Sequence, residues 1–308
     1  MSVPTDIEIC DVAPRDGFQV VKTWIPTEIK IAVVEGLAKA GMRRIETGAF
    51  VSPKHVPQMA DTAEVHARAR VGDGVRLTTL VPNLRGAENA FAADIADIVY
   101  VFSASESHNQ SNVRRSVADS IAELGALIRI GRDQPGFRLR CNIATVFDCP
   151  FEGRVDEDAV YRAIEQVLAF GHPVEFGLCD TTGRALPDHV AGVSAAAIQR
   201  FKGDDIGWAF HGHDTFGLGV ANALYAYDAG VRVFDASVAG LGGCPFAPGA
   251  TGNTASEDLV FTFENMGIGT GIDLATLLDV AERVAALPDT DTGGHIRMVP
   301  RKRVLSAA

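Results

Sequence analysis

One rhythm constrains this chain more than any other feature. A short β-rich apolar run is followed by a longer helical pattern, and the pair recurs eight times. The runs fall at 8–12, 44–47, 76–81, 98–103, within 137–147, and at 174–179, 206–213 and 231–237. Pro26 and Thr27 open a helix to about residue 40, in which Ile29, Ile31, Val34 and Leu37 can share one buried stripe. Further helices are expected near 61–69, 86–93, 113–130, 156–170, from Pro187, and at 217–229 and 256–265. A last amphipathic helix at about 274–287 precedes a polar, basic tail. Strands alternating with helices give either a closed (β/α)8 TIM barrel or a doubly wound open sheet. The barrel is the better fit, because polar side chains recur at the carboxyl ends of successive runs: Asp16, Glu46, Asn83, Ser103, Asp180, His213 and Asp214. An open sheet would collect them mainly at one switch point. The 308 residues suit one such domain spanning 1–308, with an additional C-terminal helical segment over about 270–308.

Composition narrows the function classes. A formal net charge of -11 argues against a nucleic-acid surface, which needs clustered Lys and Arg, though a few local arginines can still hold a phosphate-bearing ligand. Five cysteines, with no Cys-x-x-Cys spacing, suit a reducing cytoplasm rather than a disulfide framework or a zinc knuckle. No secretory signal and no apolar run of transmembrane length is evident. The expectation is a cytoplasmic enzyme that binds neither nucleic acid nor membrane.

His211-Gly212-His213-Asp214 closes the seventh run. Side chains alternate faces along a strand, so the two imidazoles lie on one side and can share a metal ion. A helix would set them about 200° apart. In a barrel, Asp16 from the first strand end converges on the same mouth and offers a hard oxygen. One carboxylate with two imidazoles suits a divalent ion such as Mg2+, Mn2+ or Zn2+, and the absence of nearby thiolates disfavours structural zinc. Mg2+ or Mn2+ is the expected cofactor. Arg15, beside Asp16, can stabilise a developing oxyanion.

The stretch from Gly240 to Asn253 is too long and too glycine-rich for a plain connection, and such loops are often lids. It is not a phosphate P-loop, because no Gly-Lys-Ser/Thr follows. Cys244 within it can move a proton if its thiol is acidified, and Asn253 at its end can give an amide oxygen to the metal. The other four cysteines sit in or beside apolar runs and read as inert core thiols.

These segments resemble a known family. Pro14-Arg-Asp-Gly-Phe-Gln19, Ile45-Glu-Thr47, Phe50-Val-Ser-Pro-Lys-His-Val-Pro-Gln-Met59, His211-Gly-His-Asp-Thr-Phe-Gly217, Val238-Ala-Gly-Leu-Gly-Gly-Cys-Pro-Phe-Ala247, Gly252-Asn253 and Glu257-Asp-Leu259 are similar to 3-hydroxy-3-methylglutaryl-CoA lyases. The resemblance implies a metal held by Asp16, His211, His213 and Asn253, and an acyl-CoA substrate cleaved to acetyl-CoA and a keto acid. It implies that Arg15 polarises the thioester and that Cys244 serves acid–base chemistry, with Asp180 and His211 as further candidates. Glu46 and Glu257 would orient ligands or lid, and a homodimer is the family expectation. Departures from the family pattern cluster at strand mouths. They are Val20-Val21, Gly48-Ala49, His55, Asn142 where tyrosine is expected, and Asp148. They keep open a different acyl group, such as that of citramalyl-CoA, and a pyruvate-type aldolase of the same superfamily.

Overall fold

A computed structural model of the chain describes residues 5–243 and 252–306. Eight strands form the barrel: β1 Glu8–Asp11, β2 Arg44–Ala49, β3 Arg76–Val81, β4 Asp97–Ser103, β5 Arg138–Ala144, β6 Val174–Asp180, β7 Ile206–Gly212 and β8 Val233–Ala236. All neighbours run parallel, and β1 pairs with both β2 and β8, closing the ring. Helices pack outside: α1 Thr27–Lys39, α2 Thr62–Arg68, α3 Leu84–Ala92, α4 Glu106–Val113, α5 Val117–Gly131, α6 Glu157–Leu168, α7 Pro187–Arg200, α8 Gly219–Asp228 and α9 Ser256–Asn265. Two more, α10 Leu274–Ala285 and the short α11 Arg301–Leu305, lie beyond the eighth unit and form the C-terminal helical segment. Among the described residues, no helix is long and apolar enough to cross a membrane.

Local chemistry explains most boundaries. Asn83 caps α3 by accepting from the Gly86 amide at 2.8 Å, and Asp273 caps α10 by accepting from Ala275 and Thr276. Pro187 opens α7 at a position where its missing N–H is no loss. Two expectations need correction. Ile29 is 39% exposed, so the buried face of α1 is made by Ile31, Val33, Val34 and Leu37. The pattern at 113–130 is not one helix. Arg114 takes a left-handed conformation (φ 58°) that ends α4, and Ser116 caps a new helix by accepting from the Asp119 amide at 3.0 Å. The segment closing strand five is a small hairpin, with Asp148–Cys149 paired to Gly153–Arg154.

The apolar core lies mainly between strands and helices, where Leu37, Leu124, Leu127, Ile164, Val193 and Phe263 are buried. Truncating one of them, as in Leu37→Ala, would cost about 2–5 kcal/mol. The barrel interior is different, because it holds charge. Arg44 pairs with Glu175 and with Glu8, and Arg140 pairs with Asp235. The tail crosses back to the mouth. Asp258, in the first turn of α9, accepts from the amides of His295 and Ile296, and Gly293 donates to the Ala239 carbonyl at 3.0 Å.

Candidate metal centre and its surroundings

Chain folding after β1 delivers the first ligand. The chain coils tightly over Ala13–Gly17, where the Val12 carbonyl accepts from the Arg15, Asp16 and Gly17 amides. Asp11 anchors this coil from below. Its carboxylate accepts from Ala13, from the Val238 amide and from the Ser256 hydroxyl, and so ties the β1 exit to the β8 exit. Asp16 is thereby buried at the mouth beside the end of β7.

The histidine pair behaves as strand alternation demands. His211 lies in β7 and His213 just beyond it, with ring centroids 5.2 Å apart. Ligand atoms of Asp16, His211 and His213 all lie within 4.8 Å of one another. The His213 Nε2–Asp16 Oδ2 separation is 3.9 Å, too long for a hydrogen bond and suited to a shared ion. This is the one such cluster of His, Cys, Asp and Glu among the described residues.

The orientation of both rings is fixed from behind. His213 Nδ1 lies 2.9 Å from the Thr181 carbonyl, which can only accept, so Nδ1 carries a proton and, in the neutral ring, Nε2 is the atom left with the lone pair. His211 Nδ1 lies 3.0 Å from Asp235 Oδ2. Burial alone would push the Asp235 carboxyl up, but the Arg140 guanidinium holds it down in the ionised form, at about 2. Asp235 therefore accepts from Nδ1, and His211 also presents Nε2. Such back-side partners are the usual means of orienting metal-bound imidazoles.

The remaining donors fit a hard divalent ion. Burial alone would raise Asp16, yet the Arg15 guanidinium beside it holds its carboxyl far below the usual range. Its Oδ1 accepts from Gln19 at 2.8 Å and from Arg15, and its Oδ2 accepts from Asn253 Nδ2 at 2.8 Å. Asn253 pairs with His213 in an isolated bridge, and its Nδ2 also donates to the Leu241 carbonyl. Its Oδ1 is buried with no hydrogen-bond partner, and so is His213 Nε2. Two orphaned buried acceptors beside a carboxylate form a cradle for a cation. Gly242 clears the space for Asn253: at its φ of 126° a Cβ would stand 2.4 Å from Asn253 Nδ2. The cluster of Asp16, His211 and His213 could thus coordinate a divalent metal.

Arg15 sits against the cluster. Glu46 grips it from Nε at 2.8 Å and from Nη2 at 3.3 Å, and Nη1 reaches Asp16. A register shift in β2 follows directly after Glu46, where the strand leaves the regular ladder at the mouth. Asp180 ends β6 nearby. Its Oδ2 accepts from the Ala185 amide at 3.2 Å, while Oδ1 is buried without a partner. Burial raises its carboxyl to about 6, against the opposing influence of His213. Glu257 lies apart from the ligands, where its Oε2 accepts from the Ala239 amide at the start of the glycine-rich stretch. Cys244, and with it most of the expected lid, lies outside the described residues. The other four cysteines are free and buried.

Asp235, Arg140, Thr181 and Gln19 are hydrogen-bond partners within and behind the candidate site that the sequence did not single out. Asp235 and Arg140 each interrupt an apolar run, which is the available signal. Asp235 is the register partner of His211, a fact that the sequence does not carry.

Comparison with known proteins places the chain in a family. The HMGL-like family model matches residues 6–284. The chain belongs to this family. It is 40% identical to hydroxymethylglutaryl-CoA lyase YngG of Bacillus subtilis (strain 168), over 92% of this chain and 93% of that protein. It is 39% identical to the (R)-citramalyl-CoA lyase of Chloroflexus aurantiacus, over 91% and 90% of the two chains. An HMG-CoA lyase structure from Acenitobacter baumannii, in complex with coenzyme A and 3-methylmalate, superposes with a TM-score of 0.89 at 38% identity, covering 98% of this chain and 97% of that one. As an HMGL-like family member the protein is a carbon–carbon lyase of the acyl-CoA-cleaving type.

Proposed function

We propose that the protein cleaves 3-hydroxy-3-methylglutaryl-CoA, or a close 3-hydroxyacyl-CoA analogue, to acetyl-CoA and a keto acid. The observation that carries this reading is the Asp16–His211–His213 cluster with Arg15 locked beside it by Glu46. Mg2+ or Mn2+ bound by Asp16, His211, His213 and Asn253 would supply Lewis acidity and a template that lowers the pKa of the substrate hydroxyl. Asp180 takes the hydroxyl proton on its unpartnered Oδ1. His211 is the poorer candidate, because Nδ1 is engaged by Asp235 and Nε2 is its remaining ligand atom. The hydroxyl-bearing carbon becomes a carbonyl as the carbon–carbon bond breaks, and the bonding pair passes to the thioester enolate. Arg15, its orientation fixed by Glu46, donates to the thioester oxygen where negative charge grows. Cys244 returns a proton to the enolate carbon, one form of the acid–base role that the family resemblance implies.

The deciding experiment is a panel of 3-hydroxyacyl-CoA thioesters, including 3-hydroxy-3-methylglutaryl-CoA and citramalyl-CoA, assayed with Mg2+ or Mn2+ for acetyl-CoA release. Turnover of at least one is expected. No acetyl-CoA from any of them, alongside turnover of a CoA-free hydroxy-keto acid, would replace this reading with a pyruvate-type aldolase. Relatives with two different acyl substrates are about equally similar to this chain, which is why the panel must include both.

A further inference from the structure

We infer that Arg140, deep inside the barrel, is a positioning residue for the metal ligand His211 and acts through Asp235. The inference rests on the reading of His211 as a ligand.

Arg140 does not touch the ligand cluster. Its Nη1 and Nη2 donate to Asp235 Oδ1 and Oδ2 at 2.7 and 2.9 Å, a two-pronged pairing that fixes the plane of the carboxylate. The guanidinium is itself held by its third nitrogen, since Nε donates to Asn142 Oδ1 at 2.9 Å. Asp235 Oδ2 then meets His211 Nδ1. One rigid chain thus runs from Asn142 through Arg140 and Asp235 to the imidazole, and every member is buried.

The surrounding strands are built around this chain. Across the β5–β6 ladder, Asn142 faces Gly177. A Cβ at Gly177 would stand 2.1 Å from Asn142 Oδ1 and 3.2 Å from Arg140 Nη2, so the missing side chain is the space that Arg140 and Asn142 occupy. A TIM-barrel interior is ordinarily filled by branched apolar side chains. A buried ion pair here is a weak device for stability, because desolvation offsets most of the Coulomb attraction. Its definite effect is geometric. Only the forked, planar arginine can grip both oxygens of Asp235 and also bond Asn142. With the carboxylate plane fixed, the imidazole is held at the angle that presents Nε2 to the mouth.

The test is Mn2+ affinity, titrated in the absence of substrate, for wild type, Arg140→Met, Arg140→Lys, Asp235→Asn and the double variant Arg140→Met/Asp235→Asn. Nitrogen-15 spectra of the histidines, without metal, report the His211 tautomer in each. Arg140→Met should weaken Mn2+ binding by about 10- to 100-fold, the usual effect of losing an outer partner. Arg140→Lys should fall between, since an ammonium supplies the charge but not the fork. The double variant should bind no worse than Asp235→Asn alone, because Arg140 acts only through Asp235. It also leaves no unpaired buried charge, and so remains informative if Arg140→Met fails to fold. Leu37→Ala, a truncation of the apolar core under α1 that touches no member of this chain, serves as the control for destabilisation and should keep wild-type affinity. Additive losses in the double variant, or unchanged affinity and an unchanged tautomer in both Arg140→Lys and Arg140→Met, would overturn the inference. Failure of wild type itself to bind Mn2+ would instead remove the metal-site reading on which it stands.

Discussion

Arg15 and Glu46 allow catalysis to be separated from stability in a single mutant cycle. Arg15→Met removes the cation proposed to meet the developing enolate charge. It also strands Glu46, which is buried and loses both of its bonds to the guanidinium. Breaking a buried pair from one side costs about 3–5 kcal/mol, most of it the penalty on the abandoned charge. Glu46→Gln added to Arg15→Met removes that charge and should recover most of the stability. The catalytic loss should not recover, because the lost donor costs about 10²–10³ in kcat, equivalent to about 2.7–4 kcal/mol. Mn2+ affinity should be no weaker in either variant, since Arg15 competes with an ion for Asp16. Urea unfolding gives the stabilities, acetyl-CoA release gives kcat and KM, and metal titration gives the third axis. A double variant within tenfold of wild-type kcat would refute the role of Arg15 as charge stabiliser. Loss of Mn2+ affinity alongside would show that Arg15 is instead part of the metal site.

Other outcomes follow from the same geometry. Asp180→Asn should lower kcat by about 10²–10⁴ and leave Mn2+ affinity near wild type; an unchanged kcat moves the base elsewhere. Cys244→Ala should cut turnover without altering metal affinity, measured by the same two assays. Metal at about 100 times its Kd should stabilise the fold by about 2.7 kcal/mol, read as a shift in urea midpoint that EDTA reverses; His213→Ala should abolish that shift. Burial raises the Glu257 carboxyl to about 8, so the folded state holds a proton that the unfolded chain releases near 4.5. Its contribution to stability is present at pH 4.5 and is lost as pH rises towards 8. Glu257→Gln, which can still accept from the Ala239 amide, should match wild type near pH 5 and exceed it near pH 8. A difference between the two that does not change with pH would show Glu257 to be ionised throughout.

The parts legible in the sequence were those governed by local periodicity. Strand and helix alternation produced the barrel, because consecutive parallel strands need crossover helices. The His-x-His spacing placed both imidazoles on one side, and the ligand cluster followed once strand ends converged. What escaped was set by long-range register or by local backbone geometry. The break between α4 and α5 turns on Arg114 adopting a positive φ, to which hydrophobic periodicity is blind. Ile29 was misplaced because a residue in the first turn of α1 can match the stripe and still overhang its edge.

Asp235 shows why second-layer partners resist reading from sequence. It sits 24 residues from His211, on the next strand, and meets it only because β7 and β8 pair in the register that sets Phe234 against Phe210. Shifting that pairing by one residue would turn Asp235 to the opposite face of the sheet. His211 Nδ1 would then lose the acceptor that fixes its tautomer, while Asp16, His211 and His213 stayed unchanged in sequence. The His-x-His pair therefore specifies which atoms can bind a metal, and the barrel register specifies which nitrogen of His211 does. Removing the acceptor as such a shift would, by Asp235→Leu combined with Arg140→Met so that no buried charge is left unpaired, should cost metal affinity while keeping helix content. Circular dichroism and Mn2+ titration on the same sample would test this. Unchanged affinity in that variant would mean that Asp235 is dispensable and that the ligands alone define the site.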